Sequence, residues 1–487
     1  MAHEYVEIEG ISVPTGHFIG GEHVSSVETF ETRSPMQWDW KLADIARGTK
    51  ETANQAVTAA VDAFPVWSRY TVQDRATCLQ HLADLIDENK DDIATVECLD
   101  MAMLLESLKL RLIPRAALNF RNYSNIIIEA EERAWSSKGT LNRIIRMPAG
   151  PAVIITPWNA PFMLSTWKVA PALASGNTVI LKPAEWSPLS TAKLTEFINE
   201  SGFPSGAFNI VQGFGSDLGA ALVSDPRVKR VSFTGSPETA RKIGHAAAEN
   251  IVPFTAELGG KGPLIVFEDC DLDAAAKKAA GQFDDSGQVC LAGTRLLVQT
   301  GVMGDFLKLF HAYTDQHVMG DSRDAATTMA ALIHPLHIEK VAAFVERARA
   351  KGDKIIRGGK IHKEGMLWYE PTLIQPKSNN SEIVQNEIFG PVLTIQDFET
   401  EEEAIALANS TKYGLSGIIY TSSAERAERV GRAVRSGIVW INCFLIRDLS
   451  APFGGIGESG IGREGGDYAL DFHADLKTLQ IYEGSVT

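Results

Sequence analysis

An α/β fold with a parallel sheet wound with helices is what this 487-residue sequence predicts, and two observations carry it. From residue 152 onward, short β-rich apolar runs recur at intervals, and helix-patterned stretches lie between them. Each connection is also long enough for a crossover, so neighbouring strands can run parallel with helices packed on the sheet. Such a sheet binds ligands at the carboxyl ends of its strands, although fold alone does not give function.

The elements follow in order. Residues 52–110 (TANQAVTAAVDAF, then RATCLQHLADLIDENKDDIATVECLDMAMLLESL) repeat apolar positions at three and four, which predicts helices. AVIIT (152–156), NTVILKP (177–183), AFNIVQG (207–213), RVSFTG (230–235) and PFTAELGG (253–260) read as strands. LSTWKVAPALAS, SPLSTAKLTEFINES and SPETARKIGHAAAEN read as the intervening helices. A second series starts at PLIVFED and continues through a helix after Asp271, then TRLLVQT, GDFLKLFHAYTDQH, IEKVAAFVERARAKG, KIIRGG, AIALANS, GIIYTS and GIVWINC. TLNRIIRMPAG (140–150) and DLKTLQIYEG (475–484) alternate but have few local partners. They predict strands outside the main sheets, either a hairpin within one chain or a pairing across a subunit boundary.

Hydrophobic residues make up 45% and charged residues 22%, enough for large cores, and the formal charge is −15. That acidity argues against nucleic acid or an anionic membrane as the main partner. The start, MAHEYVEIEG, shows no secretory signal, and no run of about 18 apolar residues offers a membrane span. Five cysteines at wide spacing, without a CxxC pair, predict neither a disulfide framework nor a metal site, so a cytoplasmic location is the default.

Candidate chemistry lies in the loops. TPWNAPF (156–162) follows the first wound strand and offers Asn159, whose amide could stabilise an oxyanion. In RVSFTGSPETARKIG, Gly235 lets the chain turn and Ser236 caps a helix whose free N–H groups suit a phosphate. NTVILKPAEWSP ends in Lys182 and Glu185, and an acid there can hold a ribose diol and repel a 2′-phosphate. Glu257 in TAELGGK becomes a general base if burial raises its pKa. NEIFGPV supplies a turn, and APFGGIGESGIGREGGDYAL has glycines enough for close approach of a ligand. In FDDSGQVCLAGTR, Cys290 lies among small residues, which would make room for a substrate. Taken singly, each feature has a bland structural reading, a turn asparagine or a packed thiol.

In this order and at these spacings, with ELGGK 33 residues before GQVC counted from Glu257 to Cys290, the motifs resemble the aldehyde dehydrogenase superfamily from HFIGGEHV to the C-terminal strand. The resemblance implies a Rossmann-type NAD domain from 1–122 and 148–258, a catalytic α/β domain at 259–467, and small oligomerisation strands in 123–147 and 468–487. It implies Cys290 as nucleophile, Glu257 as base for water, Asn159 in the oxyanion site and Lys168 as proton relay. Lys182 and Glu185 would meet the adenosine ribose, Ser236 the pyrophosphate, and Glu387 with Phe389 the nicotinamide ribose, while Trp158 and Gly235 line the groove. Ala240 stands where the family often has glycine. NAD is the expected cofactor, with NADP the alternative, and a homodimer or homotetramer the expected assembly.

WINCFLIRDLSAPFGG (440–455) resembles the branch acting on muconic semialdehydes, with Arg447 after the Asn-Cys strand and Arg115 after Ile-Pro. Two guanidinium groups could clamp a remote substrate carboxylate; the alternative is that both form structural ion pairs. Phe162, Trp167 and Phe283 are expected as apolar pocket walls. Asp284, where relatives often carry an aromatic, would as a buried carboxylate repel an anion, so a broad aromatic or aliphatic aldehyde dehydrogenase is the other reading.

Overall fold

The computed structural model describes residues 5–484, so the first four residues of MAHEYVEIEG and the last three of the chain lie outside the described residues. Three sheets organise it. In the first, strands Ala152–Ile155, Val179–Lys182, Phe208–Ile210, Arg230–Gly235 and Phe254–Leu258 run parallel. The chain winds from Ala152–Ile155 outward through Val179–Lys182 to Phe208–Ile210. It then returns to the other side with Arg230–Gly235 and Phe254–Leu258. The switch point therefore falls between Ala152–Ile155 and Arg230–Gly235, where such sheets open a crevice for a ligand. Two additions were not read from the sequence: a hairpin of His17–Ile19 and Glu22–Val24 at one edge, and Gly460–Ile461 antiparallel to Phe254–Leu258 at the other.

The second sheet has seven strands centred on Pro263–Val266 and Arg295–Gln299. All its pairings are parallel except that of Lys354–Arg357 with Thr372–Gln375. Each buried strand is almost continuously apolar because both faces are covered. Only Gly259 to Gly262 separate the end of Phe254–Leu258 from the start of Pro263–Val266. The chain thus passes in four residues from the carboxyl end of one sheet to the amino end of the other.

Thr140–Pro148 and Ala474–Tyr482 pair with each other in antiparallel register, Ala474 opposite Pro148 and Tyr482 opposite Thr140, and Arg133–Ser137 adds a third strand. The two orphan strands therefore satisfy one another within the chain. Their sheet exposes Trp135, Met147, Leu476, Ile481 and Tyr482.

The helical expectation for 52–110 resolves into Lys50–Trp67, Val72–Glu88 and Lys90–Met101, and a further helix, Ile113–Glu129, follows. SPLSTAKLTEFINES gives only the short pieces Leu189–Lys193 and Thr195–Ile198. Helix Pro161–Ala174 begins with proline and receives Glu97 at its amino end, where the Glu97 carboxylate accepts the Phe162 N–H at 3.1 Å. Burial pushes the Glu97 carboxyl up to about 7. Among the described residues, no helix is long and apolar enough to cross a membrane.

Candidate active site

The loops at the carboxyl end of the first sheet and the amino end of the second supply the functional side chains. Cys290 is half-buried, five residues before Arg295–Gln299. Burial pushes its thiol up to about 12; Glu387 and Glu257 add to the rise and Arg447 opposes it. Asn159 donates its amide to the Gln288 carbonyl at 2.8 Å, tying the loop after Ala152–Ile155 to the nucleophile loop. An amide nitrogen has two hydrogens, so one stays free for an oxyanion.

The glycines around Cys290 are needed first for packing within the protein. A side chain at Gly287 (φ +66°) would lie 2.2 Å from the Gly390 carbonyl oxygen, and one at Gly293 would meet Leu264 and Ile418 at 3.0 Å. They let the loop seat against its neighbours, and that packing fixes where the sulfur sits.

Glu257 is buried at the end of Phe254–Leu258, and neither of its carboxylate oxygens has a hydrogen-bond partner. Burial raises its pKa well above the carboxylate range; Glu464 adds to the shift, while Lys168, Arg463 and Arg447 oppose it. Gly454 explains one requirement of the glycine-rich stretch, since a side chain there would lie 2.7 Å from Glu257 Oε1. Lys168 does not meet Glu257 directly. Its ammonium pairs with the Glu464 carboxylate and donates to Ser232 Oγ at 3.0 Å. Glu464 also accepts the Trp167 indole N–H at 2.6 Å. Sequence reading missed Glu464. It lies in GREGG, where the glycines drew the attention, and its partners are almost 300 residues away. A cavity of about 10 Å³ beside these groups has space for about one water.

Trp167 also underlies the two arginines. The Arg115 guanidinium carbon lies 5.5 Å from its ring centroid and that of Arg447 5.0 Å, and Arg447 lies 3.9 Å from the Phe453 ring centre. Cations over aromatic faces are attracted by the ring quadrupole. Helix Ile113–Glu129 sets the approach, with Asn119 one turn after Arg115 accepting its Nε–H at 3.1 Å. Among the described residues neither arginine forms an ion pair, and Arg447 Nη2 is buried without a partner. Burial lowers both, Arg115 to about 10 with help from the Arg447 cation.

Three expectations about pocket walls are corrected. Phe162 and Phe283 are 0% exposed. The first packs in the core below the first sheet, and the second packs against Phe310 and His317, so neither reaches a pocket surface. The Asp284 side chain is 60% exposed and lies 4.0 Å from His317, so it does not wall a closed pocket, although burial and the neighbouring Asp285 push its carboxyl up to about 7. It is Asp285 that is half-buried, 3.8 Å from Arg111.

The residues expected along the cofactor groove follow the strand ends. Lys182 is buried and donates to Glu185 and to the Pro183 carbonyl, both at 3.0 Å. Ser236 caps helix Pro237–Glu249, accepting the Thr239 N–H at 3.2 Å, and lies exposed. Gly235 is needed for a different reason than a turn: its φ is not positive, and a side chain would strike the Phe233 ring at 2.4 Å. Ala240 is buried one turn into that helix. Trp158 meets Phe389 edge-on at 5.2 Å, and Phe389 itself holds a left-handed φ of +59°. Such a conformation in an aromatic residue points to a functional constraint. Glu387 accepts the Gly260 N–H at 2.9 Å.

The chain as a whole is similar to known proteins. The model of the Aldehyde dehydrogenase family aligns with residues 23–479. The 2-hydroxymuconic semialdehyde dehydrogenase of Pseudomonas sp. (strain CF600) is 39% identical, covering 95% of this chain and 98% of its own. The 2-aminomuconic semialdehyde dehydrogenase of Mus musculus is 37% identical over 96% and 97%. Among solved structures, a mutant of the P. syringae indole-3-acetaldehyde dehydrogenase AldA in complex with NAD+ and IAA superposes with a TM-score of 0.95 at 34% identity, covering 97% of this chain and 98% of its own. With the family model spanning residues 23–479 and relatives this similar over almost the whole chain, the chain belongs to the aldehyde dehydrogenase family.

Proposed function

We propose that the protein oxidises an aldehyde carrying a remote carboxylate to the corresponding acid, with NAD as oxidant and Cys290 as nucleophile. Two unpaired guanidinium groups on one tryptophan carry the substrate assignment. A neutral aldehyde leaves both cations unmatched in a half-buried site, whereas a carboxylate can take bidentate bonds from them. The two muconic semialdehyde dehydrogenases among the relatives support the same class.

The residues divide the work by environment. Burial favours the protonated Cys290 thiol, whose proton passes to solvent before attack, while Glu257, with no hydrogen bond to keep its carboxylate ionised, is kept for the water step. Sulfur attack on the carbonyl carbon places the oxyanion under the free Asn159 N–H. NAD supplies the hydride acceptor when bound. The acyl group left on sulfur is released by water, from which Glu257 takes the proton, and the Lys168–Glu464 pair stands behind Glu257 to adjust its charge.

The groove fits the dinucleotide: an exposed capped helix start for the pyrophosphate, Glu185 at a strand end for a ribose diol, and Glu387 beside the Gly-Gly turn for the second ribose. Glu185 favours NAD over NADP, because a 2′-phosphate would meet a carboxylate. The exposed apolar side chains of the three-stranded sheet support a dimer or tetramer, and five free cysteines support a reducing, cytoplasmic setting.

The test pairs each semialdehyde acid with its neutral ester, using NAD and then NADP. Wild type should favour the acid, and Arg447→Ala should raise KM for the acid by about 10- to 100-fold, as expected for a lost charged hydrogen bond, with little change for the ester. Equal changes for both would overturn the carboxylate assignment.

A further inference from the structure

A second cavity of about 10 Å³ lies behind the nucleophile loop, lined by Gly260, Lys261, Gly287, Val289, Thr294 and Glu387 among others. Lys261 is 2% exposed, and its ammonium nitrogen has no hydrogen-bond partner; the Thr294 hydroxyl oxygen has none either. A buried ammonium left unpaired is costly, so it needs a counter-charge or a water. Glu387 stands on the cavity's other side. One of its oxygens already takes the Gly260 N–H, and the other lies so close over Gly259 that a side chain there would meet it at 1.9 Å. The cavity has space for about one water, with an ammonium, a hydroxyl and a carboxylate to bind it.

The surrounding charges single out this pair. Arg295, the other buried cation next to Lys261, is spent on the carbonyls of Lys261, Leu407 and Ala408 at 2.8, 2.7 and 2.6 Å. Lys340, on helix Pro335–Lys351, faces Glu387 from the surface and is exposed to screening. Cys290 and Tyr413 also face Glu387, and neither is a cation. Burial drives the Lys261 and Glu387 pKa values toward each other, Lys261 down to about 7 and Glu387 up to about 7, and each opposes the other's shift.

We propose that Lys261 is a positioning residue for the cofactor: protonated, it holds the Glu387 carboxylate ionised through one buried water, ready to accept hydroxyls of the nicotinamide ribose. The proposal rests on the NAD reading above. The sign is defined. Without the ammonium, Glu387 keeps its proton to higher pH and cannot accept two hydroxyl donors; raising the pH restores the carboxylate.

The experiment is NAD binding to the intact enzyme, read by quenching of tryptophan fluorescence without turnover, from about pH 6.5 to about pH 9. Lys261→Met should weaken binding about 10-fold at the acid end, with most of the loss recovered at the alkaline end. Lys261→Arg should stay close to wild type. The double variant Lys261→Met/Glu387→Gln should bind no worse than Glu387→Gln alone. A loss in Lys261→Met that ignores pH, additive losses in the double variant, or no loss at all would overturn the proposal. Should Lys261→Met fail to fold, Lys261→Gln carries the same readout. If wild type does not bind NAD at any pH, the cofactor reading fails instead, which separates the two.

Discussion

Two buried glutamates share one site and are treated in opposite ways. Glu464 is surrounded by donors, the Lys168 ammonium on one oxygen and the Trp167 indole on the other. Glu257 has none on either oxygen. Charge-assisted hydrogen bonds stabilise an ionised carboxylate, and their absence in a buried place favours the protonated acid. Identical side chains thus meet different surroundings: Glu464 is held by its donors in the pair with Lys168, and Glu257 is left without a partner, which suits the proposed base.

The strongest way to break this division is to remove its target. Cys290→Ala should lower turnover by about 10⁴-fold or more while NAD binding persists, and surviving NAD-linked oxidation would discard the nucleophile. Next in size, Glu257→Gln should release one equivalent of NADH per site and then stall, with steady turnover down by about 10²- to 10⁴-fold. Stopped-flow absorbance distinguishes that burst from a uniform slowing. Smallest is Glu464→Gln. Glu257 works as a base only when deprotonated, so its rate rises as pH climbs through its raised pKa. Removing the neighbouring anion, and freeing the Lys168 cation, lowers that pKa, so the acid limb of the kcat profile should move down by about one pH unit. An unmoved limb would mean the two glutamates do not sense each other.

The contrast also marks what was legible in the sequence. Asn159, Glu257 and Cys290 sit in short motifs whose order and spacing along the chain carried the family resemblance. The parallel winding of the strands from Ala152 to Leu258 was legible because crossovers leave strand-helix alternation in the chain, whereas their order in the sheet came only from the structure. Glu464 was not, since its meaning comes from Lys168 and Trp167 on a helix far away in sequence. Phe162 and Phe283 were misread because adjacency to a motif says nothing about which side of the backbone a ring takes; both turn to the core. The mutual pairing of Thr140–Pro148 with Ala474–Tyr482 was equally hidden, being a contact between distant parts of the chain.

The four-residue passage from Gly259 to Gly262 has a consequence for how this enzyme can vary. It joins the strand that carries Glu257 to Lys261, which lines a cavity with Glu387, and no side chain fits at Gly259 or Gly260 without displacing Glu387 or the Cys290 carbonyl. Lengthening that span by a single residue would move Glu257 and Lys261 relative to one another, so the two roles proposed for them would have to vary together.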